Sequence, residues 1–232
     1  MYLSNVNIFR KLLSKFKEST SQKYRREVLS NLISSEISKL EKIDKKKTIR
    51  LLDYGSGYRP VLIKEIIKKL SNKHNKTKFV AHCYDNYSNK QLKLINSSPN
   101  IKFMNINKLS KKHKTRYNFC LIVDVLHHIG LEKNTKIYKI TKKLKKISKF
   151  LIIKDHFQYG FFSNLILILM DFFSNYGDGT KIPKIYFNIN TFEKFISRLN
   201  LKEIKRITNK KYYKWFWFYL NNEKLQFISI LR

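Results

Sequence analysis

The stretch LLDYGSGYRP, residues 51–60, decides the fold, because an apolar run ends in Asp53 and then turns at Gly55 and Gly57. Only 6 glycines occur among the 232 residues, so two glycines this close mark a turn that another group must approach closely. Pro60 opens the next segment, PVLIKEIIKKL, whose apolar residues have helical spacing. The stretch therefore predicts a buried strand, a tight turn and a helix N-terminus with its partial positive charge.

Short apolar runs, mostly β-branched or aromatic, recur through the chain and alternate with helical patterns. The runs are TIRLLDYG (48–55), KFVAHCYD (78–85), NIKFMNI (100–106), YNFCLIVD (117–124) and KFLIIKD (149–155). We expect each to be a strand that is buried on both faces. Helical patterns at 60–70 and 134–147 lie between them, and this alternation predicts an α/β fold with a parallel sheet.

The two ends of the chain are also patterned. Residues 1–46 read as helical, and after residue 155 an apolar helix at 161–173 precedes a loop and a second helix at about 190–199. The segments LKEIKRI (201–207) and LQFISIL, which closes the chain, are strand-like.

The charge balance is strongly basic. The chain has 49 Lys and Arg against 16 Asp and Glu, a formal net charge of +33. Such a charge is typical of proteins that bind nucleic acid or an anionic membrane surface. Lysine supplies 40 of the 49 basic residues, as A/T-rich coding sequences favour, so a solvated lysine surface is the simpler interpretation.

The cysteines predict neither a disulfide nor a metal site. Cys83 and Cys120 lie inside apolar runs, without CxxC spacing, and we expect buried, reduced thiols. The most apolar segment, 161–173, is too short to span a bilayer, and residues 1–20 lack the apolar core of a signal peptide. We therefore expect a cytoplasmic protein.

Two nucleotide-binding motifs fit the glycine turn poorly. A dinucleotide fingerprint needs a third glycine where this chain has Pro60, and no Gly-Lys-Ser/Thr follows for a P-loop. An acid that ends the first strand ahead of Gly-x-Gly instead resembles the class I S-adenosylmethionine (SAM)-dependent methyltransferases. The resemblance implies that Asp53 accepts a hydrogen bond from the ammonium group of SAM.

Three further matches follow in chain order. Asp85 ends the second strand, where the resemblance implies contact with the ribose hydroxyls. Asn107, or alternatively Asn105, stands where the family usually carries an acid for the adenine amino group, and its amide oxygen can accept the same bond. The run DVLHHIG, residues 124–130, closely resembles small-molecule methyltransferases of this class and is the most specific motif.

One position departs from the family pattern. Arg59 stands where the motif's last glycine would fall, and its guanidinium can either pair with the methionine carboxylate or crowd the turn. The cofactor-binding residues that the resemblance implies are Asp53, Tyr54, Gly55, Ser56, Gly57, Arg59, Asp85, Asn86, Asn107, Asp124 and Val125.

The resemblance also implies an architecture. We expect a Rossmann-like, doubly wound, mainly parallel seven-stranded sheet in the order 3-2-1-4-5-7-6, with N-terminal helices. We predict a helical extension over residues 1–47, a methyltransferase domain over 48–232, and within it a substrate-covering insertion over 160–188. The aromatic residues Tyr186, Phe187, Trp215 and Trp217 are candidates to cover the substrate.

Methyl transfer to a hydroxyl or an amine requires removal of a proton, and a neutral imidazole suits that task near pH 7. His127, His128 and His156 all lie at predicted carboxyl ends of strands. We rank His156 first as the general base and His127 second, while a purely structural role for each histidine stays open.

The function that these features favour is SAM-dependent methylation of a small molecule, most readily at oxygen. Methylation of RNA or another polyanion, and SAM binding without catalysis, are the alternatives. Contact of the 161–173 helix with a membrane surface is a further expectation, and the sequence does not predict an oligomeric state.

Overall fold

The computed structural model describes residues 23–41, 48–57, 60–94, 98–109, 116–131, 134–175, 181–212 and 223–232. These residues form one seven-stranded sheet in the order β3-β2-β1-β4-β5-β7-β6. The strands are β1 (Thr48–Tyr54), β2 (Lys78–Asp85), β3 (Ile101–Asn105), β4 (Tyr117–Val123), β5 (Ser148–His156), β6 (Glu203–Ile207) and β7 (Gln226–Leu231). The strand order expected from the sequence is confirmed.

The α-helices of the described residues are numbered in chain order. They are α1 (Lys23–Leu40), α2 (Val61–Lys73), α3 (Asn89–Leu94), α4 (Leu126–Ile129), α5 (Asn134–Ile147), α6 (Phe161–Asn175) and α7 (Ile189–Arg198). Single 3₁₀ turns lie at Ile106–Lys108 and Glu223–Leu225.

Strands β1 to β5 pair in parallel, and β7 enters antiparallel between β5 and β6. Parallel strands need crossover helices, and those helices cover both faces of the sheet. Alternate residues of one strand therefore face different cores: Leu51 packs on the side of α1 and α2, and Leu52 packs on the side of α5 and α7. Because β1 to β5 run parallel, their carboxyl ends lie along one edge of the sheet.

Helix α1 belongs to the core of the sheet. Its residues Leu29, Ile33 and Ile37 are fully buried and pack with Ile63 and Ile66 of α2. The domain boundary that we predict at residue 47 stays a prediction. Residues 1–22, including the rest of the predicted N-terminal helices, lie outside the described residues.

One expectation about the strands is wrong. We expected every apolar run to be buried on both faces, but in β3 only Ile101 is buried. The reason is its position, because β3 forms an edge of the sheet and pairs only with β2. The other predicted runs coincide with β1, β2, β4 and β5 to within about two residues, the usual uncertainty of strand ends.

The two cysteines, Cys83 and Cys120, are free and buried, as expected. Within the described part of the chain, no helix combines the length and the apolar character that crossing a bilayer would take.

Candidate active site

The glycine turn after β1 has the backbone conformation that the sequence predicts. Gly55 and Gly57 have φ angles of 76° and 68°, in the left-handed region that side chains disfavour. A Cβ on Gly55 would lie 2.5 Å from Cγ2 of Val125, whereas a Cβ on Gly57 would meet nothing within 4 Å among the residues that the structure describes. Gly55 is therefore required by packing within the chain, and Gly57 faces open space that a ligand can occupy.

The end of β2 is tied to this turn. The backbone N–H of Gly57 donates to Oδ2 of Asp85 at 2.7 Å, and the N–H of Asn86 donates to Oδ1 at 2.7 Å. The hydroxyl of Tyr87 donates to the carbonyl of Gly57 at 2.7 Å and lies 2.6 Å from Oγ of Ser56. Asp85 thus faces the turn, and each of its oxygens keeps a lone pair for a further donor.

Asp53 is a nearly buried carboxylate at the bottom of the turn, with a relative exposure of 8%. Burial first, and the charge of Asp85 second, raise its pKa to about 7. Over the residues that the structure describes, no hydrogen bond or ion pair reaches this carboxylate. Burying an unpaired carboxylate is costly, so the site favours a cationic or hydrogen-bond-donating ligand.

The structure separates the two asparagines that were alternatives for the adenine contact. The amide of Asn105 donates to the carbonyl of Tyr87 at 2.6 Å, and its oxygen accepts from the N–H of Asn107 at 2.9 Å. Asn105 is therefore engaged in holding the end of β3. The side chain of Asn107 is exposed.

Asp124 follows β4 with a φ of 53°, which is unusual for a residue other than glycine. Its carboxylate pairs with Arg25 of α1 and with Lys154 of β5. Lys154 is fully buried, and burial, followed by the charge of Arg25, lowers its pKa well below the usual value. Asp124 therefore joins the N-terminal helix to the site.

A second group of polar side chains surrounds His127, which is 1% exposed. Its Nδ1 donates to Oδ1 of Asp155 at 2.5 Å, and its Nε2 lies 3.2 Å from Oδ2 of Asp171 without forming a hydrogen bond. The hydroxyl of Tyr186 donates to the same Oδ2 at 2.6 Å. Burial disfavours the imidazolium, but the charge and hydrogen bond of Asp155, with help from Asp171, outweigh burial and raise the pKa of His127 to about 9.

His156 lies beside this group at the end of β5 and is 5% exposed. Its Nδ1 lies 3.8 Å from Oδ1 of Asp124 and 3.5 Å from Oδ1 of Asp155, with no hydrogen bond. Burial, and then the charge of Lys154, lower the pKa of His156 to about 3. His156 is therefore neutral near pH 7, whereas His127 is mainly protonated.

His128 faces a small pocket next to the histidines. Its Nδ1 donates to the carbonyl of Lys181 at 3.1 Å, and its Nε2 lies 3.9 Å from Oδ2 of Asp171. The pocket has a volume of about 40 Å³, which is room for a few water molecules or one small ligand group. His127 and His128 form one side of it, and the remainder is mostly apolar: Ile129, Gly130, Leu131, Ile182, Pro183 and Ile185.

The predicted site residues thus fall into two adjoining groups. The first surrounds the turn and contains Asp53, Tyr54, Gly55, Ser56, Gly57, Asp85, Asn86 and Val125. The second contains Asp124, His127 and His156, while Asn107 lies at the exposed end of β3. Arg59, Trp215 and Trp217 lie outside the described residues, and Phe187 packs in the core rather than on a pocket.

Sequence reasoning missed three residues of the second group. Arg25 and Asp171 carried no signal of their own, because only the packing of α1 and α6 brings them to the histidines. Lys154 did carry a signal, since a lysine inside the apolar run KFLIIKD is unusual unless its charge is paired.

No protein-family model and no curated protein sequence matches the chain. Solved structures do match. LepI in complex with SAM aligns over 85% of this chain and 45% of LepI, with a TM-score of 0.53 and 12% identity. A SAM-dependent methyltransferase from Archaeoglobus fulgidus aligns over 93% of this chain and 97% of its own, with a TM-score of 0.56 and 14% identity.

A cyclopropane-fatty-acyl-phospholipid synthase-like protein from Lactobacillus casei aligns over 89% of this chain and 90% of its own, with a TM-score of 0.55 and 8% identity. This chain spans less than half the length of LepI. Similarity of this kind establishes the fold: the chain has the Rossmann-like fold of the class I SAM-dependent methyltransferases.

Proposed function

We propose that this chain is a SAM-dependent methyltransferase that acts on a small molecule, with an oxygen atom as the methyl acceptor. The observation that carries the proposal is Asp53, a nearly buried carboxylate without a partner in the described chain, at the bottom of an open glycine turn. The ammonium group of SAM would supply the missing partner. A ligand cation here would repay the cost of burying the charge.

The residues around the turn fit the rest of the cofactor. Asp85 already holds the N–H of Gly57 and has acceptor capacity left for ribose hydroxyls. Among the described residues nothing fills the space beyond Gly57, and the exposed amide oxygen of Asn107 can accept from an adenine amino group. Val125, packed against Gly55, would provide an apolar wall.

SAM, when bound, supplies a methyl group on an activated sulfonium. The protein must then align the acceptor, exclude water and hold the proton that the acceptor loses. His156 is the neutral imidazole of the site and is proposed as the base. A pKa of about 3 makes it a weak base, so the acceptors it suits best are oxygens that need little help from a base, such as a phenol or a carboxylate that is already ionised.

Calorimetric titration of the folded chain with SAM and with S-adenosylhomocysteine tests the cofactor. We expect saturable binding in the micromolar range and its loss in Asp53→Asn. A matched control is Glu36→Gln, because Glu36 is also a buried carboxylate but pairs with Lys39 and Lys205 away from the turn. The absence of heat with both ligands from folded protein would refute the proposal.

The same calorimetric titration also measures whether a proton is released when SAM binds. A cation beside Asp53 lowers the pKa of this carboxyl from about 7, so SAM binding near pH 7 should release a proton. The observed enthalpy of SAM binding to wild type should then change with the ionisation enthalpy of the buffer, and an enthalpy that is the same in all buffers would contradict a role for Asp53.

The net charge of +33 favours one second candidate, an RNA methyltransferase. Incubation of cell extract with methyl-labelled SAM and the chain distinguishes the two. Label in a small-molecule fraction supports the proposal, and label in the RNA fraction with none in small molecules supports the second candidate. Bound SAM without transfer to either fraction would indicate a binding protein.

A further inference from the structure

We propose that His127, His128 and Asp171 form a binding site for a divalent transition-metal ion, with Zn²⁺ as the best match. The sequence predicted no metal site. The inference concerns binding of the ion itself and does not rest on the proposed methyltransferase function.

The donor atoms converge on one point. The three ligand atoms lie within 4.8 Å of one another, with Oδ2 of Asp171 at 3.2 Å from Nε2 of His127 and 3.9 Å from Nε2 of His128. Ligands bound to Zn²⁺ at about 2.0–2.1 Å in tetrahedral geometry are roughly 3.3 Å apart. Small side-chain adjustments therefore suffice to close the site.

Both histidines present the correct nitrogen. Nδ1 of His127 contacts the carboxylate of Asp155 at 2.5 Å, and Nδ1 of His128 contacts the carbonyl of Lys181 at 3.1 Å. These oxygens only accept, so each Nδ1 carries a hydrogen and Nε2 is the nitrogen that faces the ion. Nε2 of His127 binds the ion once it has released its own proton, as metal binding to histidine requires. A hydrogen bond from the second ring nitrogen to a carboxylate or carbonyl is the usual support of metal-bound histidine.

The carboxylate ligand is supported in the same way. The hydroxyl of Tyr186 donates to Oδ2 of Asp171 at 2.6 Å, and the tyrosine ring lies 5.3 Å from the ring of His127. Metal-bound carboxylates are commonly held by such hydrogen bonds. Tyr186 is thus a positioning residue for the site.

The strongest independent observation is the unsatisfied nitrogen of His127. The residue is 1% exposed, and within the described part of the chain its Nε2 forms no hydrogen bond, although Oδ2 of Asp171 lies 3.2 Å away. A buried polar atom without a partner is unusual and costly. A metal ion between Nε2 and Asp171 would satisfy it.

A second triad, His127, Asp155 and His156, also has donor atoms within 4.8 Å, but it is a weaker candidate. Nδ1 of His127 cannot keep its hydrogen bond to Asp155 and bind an ion at once. All three residues of this triad are buried, and none but His127 lines the pocket. The first triad instead adjoins the pocket, which leaves the open coordination position typical of catalytic zinc.

Metal titration of the untagged, metal-free full chain tests the site. With Zn²⁺ in calorimetry, and with Co²⁺ followed by its visible absorption, we expect about one equivalent to bind. His128→Ala and Asp171→Asn should each weaken binding by at least about tenfold, and Asp155→Asn should weaken it by about 10- to 100-fold. The matched control is His74→Ala, because His74 directly follows α2 and lies beside Ser38 of α1. This variant should bind Zn²⁺ as wild type does.

Wild type provides a measurement that needs no variant. Zn²⁺ in excess over its dissociation constant should raise the unfolding temperature, because an ion that binds only the folded chain stabilises it. The absence of binding to wild type would overturn the proposal. Equal affinity in wild type, His128→Ala and Asp171→Asn would also overturn it, because the ion would then bind elsewhere.

A different observation carries a second inference, namely that α6 docks on an anionic bilayer surface. Five large apolar residues of α6 are 42–78% exposed. They lie within an arc of about 100° on one side of the helix: Phe161, Phe162, Leu165, Leu169 and Phe172. An exposed apolar face of this kind with basic neighbours is typical of helices that lie on a membrane surface.

Two lysine residues lie next to α6. The carbonyl of Lys184 accepts from the Asn164 amide of α6 at 3.0 Å, and the carbonyl of Lys224 accepts from the Tyr159 hydroxyl at 3.0 Å. Both lysine side chains are exposed. Basic residues are attracted to an anionic membrane surface, so the apolar face and the lysines beside it match one occupant, a bilayer with anionic headgroups.

Co-sedimentation with vesicles tests this docking. The chain should sediment with phosphatidylcholine vesicles that contain phosphatidylglycerol, and much less with phosphatidylcholine alone. The double variant Phe161→Ser/Phe162→Ser keeps every charge and should lose most of the binding. Ile204→Ser is the control, because Ile204 is also exposed but lies on β6. Binding of the double variant at the wild-type level would overturn the inference, because charge alone would then explain it.

Discussion

At the scale of single residues, the two glycines of the turn have different reasons to be glycine. Both have positive φ angles, but only Gly55 is also restricted by a neighbour, since an added Cβ would lie 2.5 Å from Cγ2 of Val125. Val125 follows Asp124, the residue that pairs with Lys154. The glycine turn and the histidine group are therefore in direct packing contact through Val125.

Alanine substitutions at the two glycines should distinguish the cost of the backbone conformation from the cost of the clash with Val125. Gly57→Ala should cost about 1 kcal/mol of unfolding free energy from its backbone conformation alone. Gly55→Ala should cost at least about 1 kcal/mol more, because its Cβ overlaps Val125. Urea unfolding midpoints measure both. Partial recovery in Gly55→Ala/Val125→Ala is expected, and equal losses at the two glycines would contradict the role of Val125.

Asp53 should make stability depend on pH in the direction opposite to most carboxylates. Its pKa is raised from 3.8 to about 7 on folding, so between these values the folded chain holds a proton that the unfolded chain has lost. Raising the pH through this window removes that proton and destabilises the fold. Asp53→Asn should therefore gain stability relative to wild type from about pH 4 to 7, as urea midpoints at several pH values would show. A difference that stays constant with pH would contradict the prediction.

At the scale of elements, α1 has two roles. Its apolar side completes the core above the sheet, and its Arg25 reaches Asp124 at the carboxyl end of β4. Helix α6 likewise joins two parts of the molecule, because Asp171 meets the histidines while Phe161 and Phe162 face outward. The functional site is thus assembled from elements that are distant in the sequence.

Ile33→Ala tests whether α1 unfolds with the sheet. Ile33 is 1% exposed within the main core, so its truncation should cost about 2–5 kcal/mol and lower the midpoint of a single cooperative transition. Asn31→Ala, on the exposed side of the same helix, should change stability by less than about 0.5 kcal/mol. A separate early transition in Ile33→Ala would show instead that α1 unfolds independently.

At the scale of the whole molecule, charge is the dominant property. The chain has a net charge of +33 on 232 residues, so its basic side chains repel one another in the folded state. Some of it is paired, as in the contacts of Lys205 with Glu36 and of Lys149 with Glu41, but acidic residues are too few to pair most of it. Salt should therefore stabilise the fold.

Urea unfolding in low and in high sodium chloride measures this effect. Because added salt shortens the range of repulsion between exposed charges, the urea midpoint should rise with the salt concentration. A fall in the midpoint would mean that screening of favourable ion pairs outweighs the relief of repulsion.

The sequence alone determined the strands and the turn, and the resemblance to the methyltransferases implied the sheet order. Apolar runs at regular spacing define the parallel strands, and Asp53, Gly55 and Gly57 could be placed at the end of the first strand because the constraint is local. Apolar side chains recur every two residues along a strand and every 3.6 residues along a helix. Both patterns involve only neighbouring residues, so they can be recognised without knowing the fold. The implied sheet order placed β3 at an edge, but its exposure could not be predicted from its apolar run, because exposure depends on which elements cover the strand in the folded chain.

Only the tertiary structure decided how the second half of the site is built. His127, His128 and His156 were visible as candidates, but their partners Asp155, Asp171 and Lys154 are fixed by the packing of α6 and β5 against α4. The protonation states of the histidines also depend on the folded structure. Neighbouring charges keep His127 protonated, whereas burial and the charge of Lys154 keep His156 neutral. Side chains far apart in the sequence affect one another through distances of a few ångströms, and those distances exist only once the chain is folded.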